Sequence, residues 1–67
     1  MEFETNIQKD MLNYRAKERI SQKELARRCG VTLQTINSVE NGLQEPSKLT
    51  RAKIYLVINE SKEEEND

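Results

Sequence analysis

Residues 22–42 read QKELARRCGVTLQTINSVENG, and this stretch decides the fold. Its apolar residues recur at helical spacing on either side of Gly30, which suits the left-handed backbone that ends many helices. Thr32 is placed to cap a second helix, and Asn41-Gly42 is placed to end it. Because only about three residues join the two helices, the sequence predicts that they meet at a sharp angle.

The start of the first helix of this pair has two local signals that agree. Ser21 and Glu24 have the S-x-x-E spacing of a capping box. Ile20 and Leu25 stand on either side at the positions of a hydrophobic staple. We therefore expect this helix to begin directly after Ser21.

The segment before the pair has its apolar residues on one helical stripe. The stripe consists of Ile7, Met11 and Tyr14. It predicts a helix from about Asn6 to Glu18, and Thr5 and Gln8 have the spacing of a capping box at its start.

A fourth helix is expected after the pair, capped by Ser47 and running to about Asn59. Residues 1–5 then form an N-terminal arm, and residues 60–67 form an acidic tail that we expect to be frayed or disordered. The prediction is an all-α domain over residues 6–59, with four helices, or five if a short one follows.

The composition excludes several classes of function. The 67 residues include no His and a single Cys, so the usual zinc and iron ligand sets and any disulfide framework are missing. Two Gly and one Pro leave no glycine-rich phosphate loop. We therefore expect no enzyme, no metal and no cofactor, and we interpret Cys29 as a small core residue.

Neither the apolar runs nor the N-terminus indicate a membrane. The longest apolar run covers residues 54–58, far below the ~20 residues that a membrane span needs. The first residues are acidic and lack the apolar region of a signal peptide. A cytoplasmic protein without membrane contact is expected.

Charge is distributed unevenly along the chain. The net charge is −1, yet residues 9–53 carry a net charge of +5 and the two ends together carry −6. A basic body favours nucleic acid as a partner. The alternative is that these charges only keep the surface solvated.

A set of residues at fixed spacing extends from Ser21 to Ser47, within the basic part of the chain. They are Ser21-Gln22, Glu24-Leu25-Ala26, Gly30-Val31-Thr32, Ile36, Glu40-Asn41-Gly42 and Pro46-Ser47. The set closely resembles the helix-turn-helix of the lambdoid phage repressor and Cro family, also called the XRE family. The resemblance implies a repressor-like fold, with its helix-turn-helix at about residues 22–41. It also implies a sequence-specific transcriptional regulator that represses by binding a two-fold symmetric operator through the major groove of double-stranded DNA.

The resemblance further implies which side chains contact DNA. Four positions match those that face the major groove and read bases: Leu33, Gln34, Asn37 and Ser38. The residues expected at the DNA backbone are Gln22, Lys23, Arg28, Thr32, Thr35, Asn41 and Lys48. For each there is a plainer interpretation as solvated surface. Leu33 could also fold onto the core, because it lies only ~60° around the helix from Ile36.

Arg15 and Glu40 occupy positions that often form a salt bridge in the resembled family. Arg15 follows Tyr14 of the apolar stripe, and Glu40 follows Val39. Either charge alone would be costly in a small core, so we expect a buried ion pair. The alternative is two exposed charges of little energetic consequence.

The run 54–58 is apolar all the way round its helix, although a four-helix domain needs only one face of it. Leftover apolar surface of this kind often marks an association site. We expect a homodimer through Leu56, with Tyr55 or Val57 beside it. The chain departs from the resembled family by having Lys48 and Arg51 where apolar residues are usual, and by turning acidic where a fifth helix would pair protomers.

A second class of function is kept open. The chain could be a DNA-binding antitoxin, or an interaction module acting with a regulatory protein partner. Its acidic tail would then occupy a basic site on that partner or mimic DNA. An apolar tail able to fold on binding would favour this alternative, and residues 60–67 do not have that composition.

Overall fold

The computed structural model describes the backbone of residues 6–65 and the side chains of residues 7–60. Within this range the chain is all-helical and has no strand. Its helices are α1 (Asn6–Glu18), α2 (Gln22–Cys29), α3 (Leu33–Glu40) and α4 (Lys48–Glu65). The all-α prediction with four helices is confirmed.

Each helix after α1 begins at a hydroxyl cap. The Ser21 Oγ accepts a hydrogen bond from the Glu24 backbone N–H at 3.1 Å, which caps α2. The Thr32 Oγ1 accepts from the Thr35 N–H at 3.1 Å, and the Ser47 Oγ accepts from the Thr50 N–H at 3.1 Å. All three expected caps are therefore present. Thr5, the expected cap of α1, lies outside the described residues.

Only one half of the expected capping box at α2 forms. The Glu24 carboxylate, which would reach back to the backbone of Ser21, binds Arg27 and Arg28 instead. Those two residues lie three and four positions further along the same helix, where side chains meet. The guanidinium of Arg27 carries a positive charge and binds the carboxylate through two bonds, whereas the Ser21 N–H offers one neutral donor, which explains the difference.

Two helices end at a glycine in the left-handed conformation; the sequence predicts this conformation at Gly30 and a helix end at Asn41-Gly42. Gly30 has φ 75°, and the N–H of Val31 donates to the Ala26 carbonyl at 3.0 Å. Gly42 has φ 71°, and the N–H of Leu43 donates to the Ser38 carbonyl at 2.9 Å. These bonds satisfy the last carbonyls of α2 and α3 and turn the chain sharply.

The end of α1 repeats the motif without a glycine. Arg19 has φ 55°, and the N–H of Ile20 donates to the Arg15 carbonyl at 3.1 Å. A side chain in this region costs about 1–2 kcal/mol relative to ordinary backbone. Nothing in the sequence around Arg19 indicates this conformation.

The core draws on all four helices. The buried apolar residues are Ile7, Met11, Tyr14, Leu25, Ala26, Cys29, Ile36, Val39, Ile54 and Ile58. α2 packs against α3, α1 packs against α3 and α4, and α4 also packs against α2. Burial raises the pKa of the Cys29 thiol to about 11, which agrees with its interpretation as a core residue.

α4 is longer than the sequence suggests. It continues to Glu65, whereas the expected end was about Asn59. Glu and Lys, which dominate residues 60–65, are good helix formers, and the segment has no Gly or Pro to stop the helix. The structure therefore continues α4 through residues 60–65, which we expected to form the start of a tail. No helix among the described residues is long and apolar enough to span a membrane.

Candidate nucleic-acid interface

One side of α3 is open to solvent. Leu33 is 46% exposed, Gln34 and Asn37 are exposed, and Ser38 is half-buried. At ~100° per residue these four side chains cover an arc of ~140° beside the buried face formed by Ile36 and Val39. The structure therefore brings the four predicted base-reading residues together and keeps Leu33 out of the buried core.

Gln22, the first residue of α2, lies against this arc. Its Nε2 donates to the Glu40 Oε1 at 2.8 Å, and its Oε1 accepts from the Asn37 Nδ2 at 3.2 Å. The Asn41 Nδ2 in turn donates to the Asn37 Oδ1 at 3.2 Å. A line of side-chain amides thus joins α2 to the exposed face and to the end of α3. No sequence pattern indicates these contacts, because side-chain rotamers decide them.

Glu40, the acceptor of the Gln22 amide, forms a bidentate ion pair with Arg15. The Arg15 Nε and Nη2 donate to the two carboxylate oxygens of Glu40 at 2.9 and 3.0 Å. The Glu40 side chain is 3% exposed and that of Arg15 is 23% exposed. The hydrogen bond to Glu40 raises the pKa of Arg15. Among the described residues no buried side-chain nitrogen or oxygen lacks a hydrogen-bond partner, so the charges are compensated where they are buried.

The backbone of Glu40 has a partner of its own. Its carbonyl accepts from the Gln8 Nε2 at 3.2 Å, which ties α1 to the end of α3. The same Gln8 amide passes close to Gly42, where an added Cβ would lie 3.0 Å from Nε2. These contacts fix the turn after α3, from which Asn41 projects.

The expected backbone-contacting residues divide into two groups. Lys23 is exposed next to Gln22, and Thr32 lies at the start of α3, its hydroxyl 2.9 Å from that of half-buried Thr35. Asn41 is exposed at the other end of α3. Thr32 and Asn41 thus lie at the two ends of α3, and Lys23 lies on the first turn of α2. Lys48 stands apart from them, exposed on the first turn of α4.

Arg28, which was also expected at the DNA backbone, is bound to acceptors within the chain. Its Nη1 donates to the Tyr14 hydroxyl at 3.0 Å and to Glu18 at 3.2 Å, and its Nε donates to Glu24 at 3.0 Å. Arg27 also binds Glu24, at 2.6 and 2.9 Å. The hydrogen bonds from Arg27 and Arg28 hold the pKa of Glu24 at about 2. The i,i+3 and i,i+4 spacing could have indicated this cluster from the sequence.

The residues expected at a dimer interface differ in exposure. Leu56 is 65% exposed, whereas Tyr55 and Val57 are half-buried against the core. The Tyr55 hydroxyl donates to the Asp10 carboxylate at 2.6 Å, and burial together with this bond raises the pKa of Tyr55 to about 12. Leu56 is therefore the member of the three that is open to a partner.

No group of His, Cys, Asp or Glu within the described part of the chain could hold a metal ion. A cavity of about 430 Å³ lies beside the turn after α3. It is lined by Ile7, Gln8, Val39 and residues 42–46, and it does not include the exposed arc of α3.

Comparison with known proteins adds one match. The family model HTH_3, described as Helix-turn-helix, matches residues 11–59, which include α2, α3 and most of α1 and α4. No curated protein matches the chain, and no solved structure matches it either. The matched span covers most of the sequence and includes the capped helix pair. The chain therefore belongs to the HTH_3, or XRE-type, helix-turn-helix family of DNA-binding transcriptional regulators.

Proposed function

We propose that the chain is a sequence-specific repressor that binds a two-fold symmetric operator as a homodimer, with α3 in the major groove. The observation that carries this proposal is an arc of exposed Leu33, Gln34 and Asn37 with half-buried Ser38, on a short helix that is capped and turned as the motif requires. The arc offers hydrogen-bonding groups and one apolar side chain, which is the chemistry of base edges.

Each position on the arc has a role in this proposal. Gln34 and Asn37 carry amides that can bind bidentately to adenine N6 and N7. Ser38 can bond to several bases, and Leu33 can contact a thymine methyl group. These side chains would supply sequence preference, since contacts to phosphate carry no sequence information.

The backbone contacts are proposed at both ends of the arc. The starts of α2 and α3 carry Gln22, Lys23 and Thr32, the first turn of α3 carries Thr35, and its end carries Asn41. Lys48 would reach the backbone from α4. We propose a lesser role for Arg28, because three acceptors within the chain already hold its guanidinium. Its hydrogen bonds to α1 give it a structural role that a phosphate contact would have to disrupt.

Dimer formation is proposed through α4. Leu56 is exposed, and Leu49, seven residues earlier and therefore on nearly the same side of the helix, is 66% exposed. Ala52 lies between them and is also exposed. A second copy of the chain would cover this apolar stripe and place two copies of α3 about 34 Å apart, one turn of DNA.

Selection of bound duplexes from a random library by the purified protein tests the proposal. We expect recovery of a two-fold symmetric sequence. Recovery of an asymmetric site would contradict the dimer, and recovery of no preferred sequence would contradict base reading. A chain that selects DNA only when a second protein is added would support the alternative, a DNA-binding antitoxin or interaction module.

A further inference from the structure

We propose that Gln22 is a positioning residue for base recognition, through which the buried Glu40 carboxylate fixes the direction in which the Asn37 amide faces. This inference rests on the proposed function, because it concerns how α3 reads bases. It gives Gln22 a role beyond contact with the DNA backbone.

The orientation of each amide is set by the group to which it is hydrogen-bonded, beginning with the Glu40 carboxylate. A carboxylate can only accept hydrogen bonds, so Gln22 must turn its Nε2 toward Glu40, and the two atoms are 2.8 Å apart. Its Oε1 then faces Asn37, and an amide oxygen can also only accept. Asn37 must therefore present its Nδ2 to Gln22, as it does at 3.2 Å. The negative charge of Glu40 therefore sets which atom of each amide donates and which accepts.

Asn41 holds the other end of the Asn37 amide. Its Nδ2 donates to the Asn37 Oδ1 at 3.2 Å. If the Asn37 amide turned over, its oxygen would face the Gln22 oxygen and its nitrogen would face the Asn41 nitrogen. Asn41 can restore its own bond by turning over as well, but Gln22 is held by Glu40, so the loss of the Gln22 bond favours one direction over the other.

We call the hydrogen bonds that join Glu40 to Gln22 and Gln22 to Asn37 the relay. The ion pair fixes the position of Glu40, the first residue of the relay. Arg15 binds both oxygens of Glu40, and the Glu40 side chain is almost fully buried. Gln22 thus takes its direction from a carboxylate that is itself fixed between α1 and α3. The relay runs from this buried group to an exposed residue, and it involves only one intermediate side chain.

A fixed Asn37 amide has a consequence for recognition. After its bonds to Gln22 and Asn41, it retains one N–H and one oxygen lone pair. These are the donor and acceptor that adenine N7 and N6 require in the major groove. Because the amide cannot exchange the two positions freely, it matches the base edge in one order and discriminates against other base pairs.

Replacement of Gln22 by Met tests the relay, since Met has a similar length and no amide. Binding is measured by fluorescence anisotropy on the selected duplex and on duplexes changed at each base pair. We expect Gln22→Met to lower discrimination at one base pair per half-site by about tenfold. The same change in an Asn37→Ala background is expected to have no further effect on discrimination at that base pair.

Lys23→Met is the matched control, because Lys23 is a neighbouring exposed side chain outside the relay. It is expected to weaken binding to all duplexes alike. Asn41→Ala, a change at an exposed residue, is expected to lower discrimination at the same base pair as Gln22→Met does. If Gln22→Met instead weakened all duplexes alike, or lowered discrimination equally in the Asn37→Ala background, positioning by Gln22 would be contradicted.

A measurement without DNA separates this inference from the proposed function. Hydrogen exchange of the Asn37 side-chain amide, followed by NMR in the free protein, is expected to be several times faster in Gln22→Met than in the wild type. Unchanged exchange would overturn the relay even if the protein reads DNA. Faster exchange in a protein that prefers no duplex would overturn the proposed function and the role in recognition, while leaving the relay as a structural contact.

Discussion

Arg15 on α1 and Glu40 at the end of α3 form a bidentate ion pair, with both nitrogen–oxygen distances at or below 3.0 Å. The two partners are buried to different extents, since the Glu40 side chain is 3% exposed and that of Arg15 is 23% exposed. Removing Arg15 would leave a buried carboxylate without its counter-charge. Removing Glu40 would leave a guanidinium that water can partly reach.

We therefore predict that Arg15→Ala lowers the free energy of unfolding by roughly 3 kcal/mol, and that Glu40→Ala lowers it by less. Urea denaturation of both variants and of the double variant measures these effects and their coupling. A coupling energy near zero would contradict a compensated buried pair.

The two glycines at helix ends are predicted to differ in their tolerance of a side chain. Both have positive φ, so Gly30→Ala should lower stability by about 1 kcal/mol. Gly42→Ala should lower it further, because its Cβ would lie 3.0 Å from the Gln8 Nε2, whereas nothing lies within 4 Å of a Cβ at Gly30. Thermal unfolding followed by circular dichroism compares the two. Equal losses would mean that the Gln8 amide moves aside without cost.

Stability is predicted to depend on the ionisation of Glu24. Hydrogen bonds from Arg27 and then Arg28 lower the pKa of Glu24 from 4.5 to about 2 in the folded chain. The folded state therefore binds this proton less readily than the unfolded state does. The contribution of Glu24 to stability is present above pH 4.5 and is lost as the pH falls to about 2.

The variant Glu24→Gln serves as the control. The wild type should melt at a higher temperature than the variant above pH 4.5, and this difference should disappear as the pH approaches 2. Salt should reduce the difference, because the Glu24 side chain is 32% exposed and ions in solution screen its pairing. A difference that stayed constant over this pH range would show that ionisation of Glu24 does not contribute.

Self-association is predicted to depend on Leu56. Replacing it by Lys places a charge on the exposed apolar stripe of α4 and should convert a dimer to a monomer. Leu43→Lys is the control, because Leu43 is 73% exposed in the turn after α3 and lies off that stripe. Analytical ultracentrifugation measures both variants. A wild type that stays monomeric at high concentration would contradict a dimer in the absence of DNA.

Local signals made most of the fold predictable from the sequence. The Ser21, Thr32 and Ser47 caps and the turns at Gly30 and Gly42 each depend on residues within one helical turn. The left-handed conformation of Arg19 was not predictable, because it replaces the glycine that normally indicates it. The end of α4 was missed because a charged segment was interpreted as a tail, although its residues favour helix.

The candidate site was predictable in outline and not in its contacts. The exposed arc of α3 follows from helical periodicity once the inward residues are known. The bonds of Arg28 to α1 could not be predicted, because its acceptors there lie 10 and 14 residues away in sequence. The bonds of Gln22 to Asn37 and Glu40 likewise span 15 and 18 residues, and no local pattern encodes them.

Replacing Gln34 by Ala tests most directly whether α3 reads bases, with Lys23→Ala as the matched change at the DNA backbone. Fluorescence anisotropy on the selected duplex and on a scrambled duplex, over a series of salt concentrations, gives the affinities and their salt dependence. We predict that Gln34→Ala costs about 1–3 kcal/mol on the selected duplex alone and leaves the salt slope unchanged. Lys23→Ala should weaken both duplexes alike and flatten the slope. Equal losses on both duplexes for Gln34→Ala would contradict base reading by α3.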